Sequence, residues 1–191
     1  MIAPTVQRIG SSARESLYAH LVALPADDLR LRFGTPIAPE SFAAYVERID
    51  FVRDAVFAVH DERLAIIGAA HVGFFEDAAE LGVSVSPGHR GHGIGSALVV
   101  RASEHARNRR TMRLYMHCLA ENAAMMAIAR RVGMQIVVSA GEADAHLALP
   151  PASPMSVTRE YLTDQLALID FAQKAHVDAL RRATDAMRKP Q

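Results

Sequence analysis

Apolar residues alternate with polar ones along some stretches of the chain and recur every three to four residues along others, and the two periods divide it into strands and helices. Thr5–Ile9 reads as a first strand. Ser11 or Ser12 caps a helix running to about Leu24, with Leu17, Leu21 and Leu24 near helical spacing. Pro39 opens a second helix, Glu40 to Ile49, whose Phe42, Tyr45, Val46 and Ile49 make one apolar face. Residues 55–60 and 64–75 are β-rich and separated by Asp61-Glu62-Arg63, which predicts a hairpin, and a strand at 79–86 follows. Leu98, Val99, Ala102 and Ala106 then mark one face of a helix. Arg113 to Leu119 reads as a buried strand, a helix opens at Asn122, and Gln135 to Leu149 reads as a hairpin turning at Gly141. By spacing, Met125, Ile128 and Val132 face the core.

This order predicts an α/β fold of the mixed α+β kind, a mostly antiparallel sheet flanked by helices, over residues 1–149. Pro150, Pro151 and Pro154 predict a stiff linker at 150–155. Residues 156–191 form a C-terminal helical extension, with one long helix from Ser156 to Arg188. Glu160 and Asp164 stand near its start and Arg181, Arg182 and Arg188 near its end, which suits the helix dipole. About 30 residues at 1.5 Å each span roughly 45 Å, whereas a 150-residue domain is about 40 Å across. The excess predicts a homodimer in which this helix pairs antiparallel with that of a second subunit.

Half of the 191 residues are hydrophobic and the formal net charge is zero, which argues against nucleic acid as the main partner. The cluster Arg107, Arg109, Arg110 and Arg113 reads either as an anion site or as a solvated helix end favoured by the dipole. One cysteine permits no intrachain disulfide. There is no apolar signal-peptide core, and the longest apolar stretch, Ala65 to Phe75, is far short of the roughly 20 residues of a membrane span. These features predict a cytoplasmic protein with no membrane partner. The nine histidines are scattered, without H-x-x-x-H or Cys–His spacing, so no metal site is expected.

The chemistry concentrates after the strand containing Leu81, Val83 and Val85. Pro87 leads into a loop with glycines at 88, 91, 93 and 95, and a helix follows directly. Glycines let backbone N–H groups turn inward and a helix N-terminus adds partial positive charge, so the segment is an anion cradle for a phosphate-bearing cofactor. It is not a P-loop, because Ser96 and Ala97 rather than Lys and Ser/Thr follow the last glycine. As a dinucleotide fingerprint it lacks the third glycine, where Ser96 stands, and the acidic partner about twenty residues on.

Arg90-Gly91-His92-Gly93-Ile94-Gly95 resembles the R/Q-x-x-G-x-G/A signature of the GCN5-related N-acetyltransferases, the GNAT superfamily. The V-x-V-x-P strand before it matches as well. The segment from Asn122 to Met134 is similar to the family's N-x-x-A-x-x-L-Y-x-x-x-G-F motif, at the family's separation from the first. Asp28-Leu29-Arg30-Leu31-Arg32-Phe33 resembles an L-R-F element of some bacterial protein lysine acetyltransferases. The resemblance covers roughly residues 40–140 and is strongest over 79–134. It implies a GNAT-type sheet and acetyl-CoA as co-substrate. The acetyl group would pass by direct attack, in a ternary complex, to a primary amine of a small molecule or protein. It also implies cofactor contacts: Val83, Ser84 and Val85 to the pantetheine arm; Arg90, Gly91, His92, Gly93, Ile94, Gly95 and Ser96 to the pyrophosphate; Asn122 to cofactor or substrate, a position equally suited to a helix N-cap.

The acceptor amine must be neutral to attack. A lysine amine near pKa 10.4 is neutral about once in 2,500 molecules at pH 7, a cost near 4.6 kcal/mol, whereas an α-amine near pKa 8 costs about 1.4 kcal/mol. Glu80 is the first candidate for the base. Ala79-Glu80-Leu81 resembles, at the same spacing before the cradle, the Ala-Glu of related lysine acetyltransferase domains, which implies a catalytic glutamate, and alternation turns Glu80 away from Leu81 and Val83 and beside Gly82 and Ser84. The competing reading is a solvated carboxylate at a strand end. His117 is a second candidate base and also a satisfied structural histidine. Cys118 reads as a buried strand cysteine, with an acetyl-enzyme as the alternative. Alanine stands at 129 where many family members place a tyrosine as general acid. That departure supports a second reading of the chain as a non-catalytic acyl-CoA sensor or interaction module.

Overall fold

A hairpin-rich frame is what the alternating segments build. The structure, a computed structural model, describes residues 4–34 and 39–188. One seven-stranded sheet runs in the order β1-β2-β3-β4-β5-β7-β6. Its strands are β1 (Gln7–Ile9), β2 (Ala55–His60), β3 (Ile66–Phe75), β4 (Ala78–Val85), β5 (Arg113–Leu119), β6 (Gln135–Ser139) and β7 (Glu142–Ala148). All pairings are antiparallel except β4 with β5. The helices are α1 (Arg14–Val22), α2 (Ala26–Phe33), α3 (Pro39–Arg48), α4 (Ile94–Asn108), α5 (Ala123–Arg131) and α6 (Pro154–Arg188).

Side-chain alternation gives the sheet two apolar faces. Ala55, Phe57, Val59, Leu81 and Val83 pack under α4, whose Leu98, Val99, Ala102 and Ala106 are fully buried. Val56, Ala58 and Ala69 point the other way, under Leu17 and Leu21 of α1 and Phe42 and Val46 of α3. The strand β2 is therefore buried at every residue. On the first face, Gly68 lets α4 approach closely, since a Cβ there would lie 2.6 Å from Ile94 Cγ2.

The expected mixed sheet and its elements are present, with three differences. Ser11–Ala13 form a single 3-10 turn with no side-chain cap, so α1 begins at Arg14 and stops at Val22. Asp28–Phe33, read only as an L-R-F element, lie in α2 (Ala26–Phe33), which opens after Pro25 and closes at Gly34 in the left-handed region (φ +78°). Pro154 starts α6 rather than belonging to the linker, as proline is suited to a first helical turn. Among the described residues, no helix is long and apolar enough to cross a membrane.

The face of α6 that meets the body is polar at its first turns. Arg101 of α4, almost fully buried, donates to Glu160 at 3.1 Å and to Asp164 at 2.5 Å. His105 bonds Glu160 through Nδ1 at 2.6 Å, and Asn108 donates to the same carboxylate at 2.6 Å. Further along, Phe171 packs on the His60 ring and Lys174 donates to the His60 carbonyl at 3.1 Å. The arginine cluster takes structural work here. Arg107 donates to the Pro151 carbonyl, and Arg109 lies over the Phe74 ring while donating to the Arg53 carbonyl.

Burial alone would raise the Glu160 carboxyl, but hydrogen bonds from His105, Asn108 and Arg101 more than offset it and hold it at about 2. Its folded pKa lies below its unfolded one, so the stability it contributes is present above about 4.5 and is lost as pH falls toward 2. Glu160→Gln is expected to cost about 2–3 kcal/mol at pH 7 and to flatten the acid limb. Urea denaturation at pH 7 and pH 3.5 measures both, and equal stability of the two proteins at pH 7 would refute the assignment.

Candidate functional site

The parallel pairing of β4 with β5 covers only Ala78–Glu80 against Arg113–Tyr115. Beyond that point β4 stays with β3 as far as Val85, and β5 stays with β7 as far as Leu119. The two central strands part, and a wedge opens between them. At its β4 side the chain passes Pro87–His89, a single 3-10 turn, and then two left-handed glycines, Gly91 (φ +76°) and Gly93 (φ +80°). Helix α4 begins immediately, and its first intrahelical bond is Ala97 N–H to the Gly93 carbonyl at 2.9 Å. The preceding first-turn N–H groups have no helical partners and no side-chain cap, which leaves them for an anion. A Cβ at Gly95 would lie 2.7 Å from Ile128 Cδ1, so glycine there lets α5 pass close to the loop.

A cleft of about 330 Å³ fills this space. Val83, Ser84, Val85, Arg90, Gly91, Gly93, Ile94, Gly95, Ser96 and Asn122 line it, all of them singled out in the sequence. His92 does not line it and is exposed. Ile94 sits with its side chain in the core, so its contribution is backbone. The Arg90 guanidinium is engaged by Asp28 of α2 and by the Val85 carbonyl at 3.3 Å, so it ties α2 to the loop. Asn122 caps α5, accepting from Met125 N–H at 3.1 Å, and also donates to the Leu31 carbonyl at 3.4 Å. Met125 and Ile128 pack on the core as expected but line the cleft as well. Arg131 stands beside the loop, with Nη1 3.5 Å from Ser96 Oγ, a second cation that no motif spacing pointed to. Glycine loop, free helix N-terminus and flanking arginines fit a pyrophosphate-bearing cofactor.

The other face of β4 carries Glu80, Gly82 and Ser84 toward α1, α2 and α3. His20 of α1 sits beneath it. The Ile66 carbonyl accepts from His20 Nδ1–H at 3.0 Å, which leaves Nε2 to accept from the Ser84 hydroxyl at 2.9 Å. Burial lowers this imidazole to about 4, against the Ile66 hydrogen bond and with some help from Arg32. His71 of β3 donates from Nε2 to Asp54 at 3.1 Å and accepts from Tyr45 Oη at 2.8 Å. Burial lowers it too, partly opposed by Asp54.

Of the two candidate bases, Glu80 is exposed on this open face, level with Tyr115. His117 is bonded to Asp144 at 2.8 Å, and that bond raises it above the ordinary histidine range. Cys118 is buried against Met126 and Ala143, and burial raises its thiol, so it is a structural cysteine. Ala129 is fully buried with Met116, Met134 and Ala145 and supplies no hydroxyl.

The family model described as Acetyltransferase (GNAT) family matches residues 24–134, more than half of the chain. The chain belongs to the GNAT acetyltransferase family. Solved structures of the same fold include the GNAT domain of S. lividans PAT, at 23% identity and TM-score 0.68, covering 75% of this chain and 89% of that one. The putative acetyltransferase yncA from Salmonella typhimurium, with its cofactor acetyl-CoA, matches at 16% identity and TM-score 0.60, covering 80% and 97%. A GNAT superfamily phosphinothricin acetyltransferase from Sinorhizobium meliloti, in complex with AcCoA, matches at 17% and 0.60, covering 80% and 95%. No curated protein matches the chain. The GNAT match takes in α2 but ends before the late hairpin and α6.

Because His20 stays neutral to about pH 4 when folded and takes a proton near 6.5 when unfolded, its burial costs stability as pH falls from 6.5 toward 4 and no further below that. His20→Gln is expected to remove part of that slope. Urea denaturation at intervals between pH 7 and pH 4 tests it, and parallel curves for the two proteins would count against a neutral His20.

Proposed function

We propose that this GNAT chain is an acetyl-CoA-dependent N-acetyltransferase acting on a primary amine by direct attack in a ternary complex. The observation that carries this reading is the free N-terminus of α4 behind Gly91 and Gly93, opening onto a wedge whose far face holds Glu80. Backbone of Val83, Ser84 and Val85 takes the pantetheine arm, Gly91 to Ser96 with Arg131 takes the pyrophosphate, and Asn122 borders the cofactor. The amine lone pair attacks the thioester carbonyl carbon, a C–N bond forms, and the C–S bond breaks. Glu80 takes the proton that the nitrogen loses. His117 serves this less well, since its bond to Asp144 favours the protonated ring. With alanine at 129, the sulfur leaves as thiolate, feasible for a thiol near pKa 8.5. The buried Ala129 is also what favours the second reading, an acyl-CoA sensor without transfer.

Calorimetric titration with acetyl-CoA and rates with a panel of amines test the two readings together. The wild type is expected to bind at micromolar concentration, Gly93→Asp to lose binding, and Glu80→Gln to bind while losing about 100-fold or more in rate. Binding without transfer to any amine supports the sensor, and no binding sinks both.

We also propose that two copies pair through α6. Opposite its docked face runs a stripe at helical spacing, Met155, Leu162, Leu166, Ile169, Leu180 and Met187, each more than half exposed. Its outer positions are symmetric about Phe171, whereas Leu166 and Ile169 reflect onto His176 and Gln173. With two α6 helices antiparallel and crossing there, Met155 of one copy lies level with Met187 of the other, and Leu162 with Leu180. Beside it the first half carries Tyr161 and Leu168 and the second Ala172, Ala179 and Ala183, so large side chains meet small ones. Light scattering at micromolar concentration is expected to give twice the chain mass, and Leu162→Asp with Leu180→Asp to give the single chain. A monomeric wild type, or a variant that stays dimeric, refutes the pairing.

A further inference from the structure

Arg32 is the residue of α2 that the transfer reading leaves without a task. Its guanidinium lies directly on Gly82, so that any Cβ at that position would fall inside it. It borders the large cleft on one side and, with Tyr45, His71 and Ser84, a small gap on the other. A guanidinium carries five N–H donors. Among the described residues Arg32 makes one hydrogen bond, from Nη2 to Tyr45 Oη at a long 3.4 Å, and its Nε is buried with no partner. Among the same residues no carboxylate lies within ion-pair distance of it, whereas Arg30 has two, Asp27 and Glu121, and Arg90 has one, Asp28. Its guanidinium also lies over the Phe33 ring, 4.9 Å from the centroid, and a partly buried cation with no carboxylate among the described residues is costly to keep. It is also a poor neighbour for a bare ammonium arriving at the wedge.

We propose that Arg32 holds the carboxylate of the acceptor, and that the acceptor is a free α-amino acid. This rests on the transfer reading and adds the substrate class to it. Glu80 stands two residues from Gly82 on the same face of β4, about 6.6 Å along the strand. A zwitterion spans the two charges, with its carboxylate on the Arg32 fork and its amine toward Glu80 and the thioester. Bidentate guanidinium–carboxylate bonding fixes the orientation of that amine. The α-ammonium of a free amino acid, beside its own carboxylate, is more basic than a peptide N-terminus near pKa 8, so it needs Glu80 to take its proton. A lysine side chain on a protein brings no carboxylate near its amine and leaves Arg32 unpaired.

The test is calorimetric titration of the full chain, with and without CoA, using L-lysine, L-arginine, L-histidine, L-phenylalanine and the other standard amino acids. Each decarboxylated counterpart (cadaverine, agmatine, histamine, phenethylamine) serves as its control. At least one amino acid is expected to bind the CoA-loaded protein about 100-fold more tightly than its decarboxylated amine. Arg32→Met is expected to abolish that preference, and Arg32→Lys, which keeps the charge and loses the fork, to restore part of it. A guanidinium that merely covers Gly82 would change thermal stability and leave the preference alone. If Arg32→Met does not fold, a preference undiminished in Arg32→Lys overturns the proposal. It is overturned equally by decarboxylated amines that bind as well, or by CoA binding with no amino acid bound. Amino-acid binding without any CoA binding would instead sink the transfer reading and leave the Arg32 site standing.

Discussion

Hydrogen bonding between β4 and β5 stops at Glu80 and Tyr115, and most of the functional geometry follows from that early stop. A sheet that remained paired would bury the edge of β4 from Leu81 to Val85 against β5 and leave no space at its centre. The separated strands instead need covering on both sides. Helix α5, capped by Asn122, lies along one side with Met125 and Ile128 toward the opening. Helix α2 lies over the other, tied to the glycine loop by the Asp28–Arg90 pair and to the α5 cap by the bond from Asn122 to Leu31. The cleft is thus held by polar ties at its rim, while the apolar cores on the two faces of β2 and β3 hold the sheet.

The same division of labour governs α6. Its attachment to α4 is an ion cluster in which Arg101, His105 and Asn108 all address Glu160. Such a cluster fixes register and orientation more than it adds stability, because desolvating the charges offsets much of their attraction. Apart from Phe171, which packs on His60, the large apolar side chains of the helix are exposed. A helix whose docked face is polar at its first turns and whose free face carries most of its large apolar side chains inverts the usual arrangement of a surface helix. That inversion is the physical ground for the proposed pairing of two copies through α6.

Elements with a clear period were legible from sequence: β2 to β5, α3, the late hairpin and the whole of α4, whose four marked positions are all fully buried. So was the loop, because glycines in the left-handed region leave a mark that spacing preserves. The cleft's other wall was not. Asp28, Arg32 and Arg131 come from helices far away in sequence, and nothing in their local pattern says that α2 folds over β4 or that Arg131 reaches Ser96. Residues 26–33 showed a family-like element, but four charges in eight residues left no apolar stripe to announce the helix. From sequence Glu80 is the first candidate base and His117 the second, and what the sequence does not show is the pairing of β5 with β7, which sets Asp144 opposite His117.

The charges on the open face of β4 explain why these residues belong to one device. His20 and His71 are both held neutral by burial, and each spends its ring nitrogens on fixed partners, Ile66 and Ser84 for one, Asp54 and Tyr45 for the other. They therefore brace the strand and α3 without adding positive charge. Arg32 contributes to keeping both neutral, since its field disfavours a second cation nearby. Among the described residues, β4 offers an incoming molecule the half-buried guanidinium of Arg32 over Gly82 and the exposed carboxylate of Glu80, set along the same strand edge at which the pairing ends. An acceptor that meets both charges is oriented before reaction, and orientation is where much of a two-substrate enzyme's rate arises. A fold that opens its sheet for a thioester thus also exposes, on the opposite face of the same strand, the surface proposed to align the nucleophile.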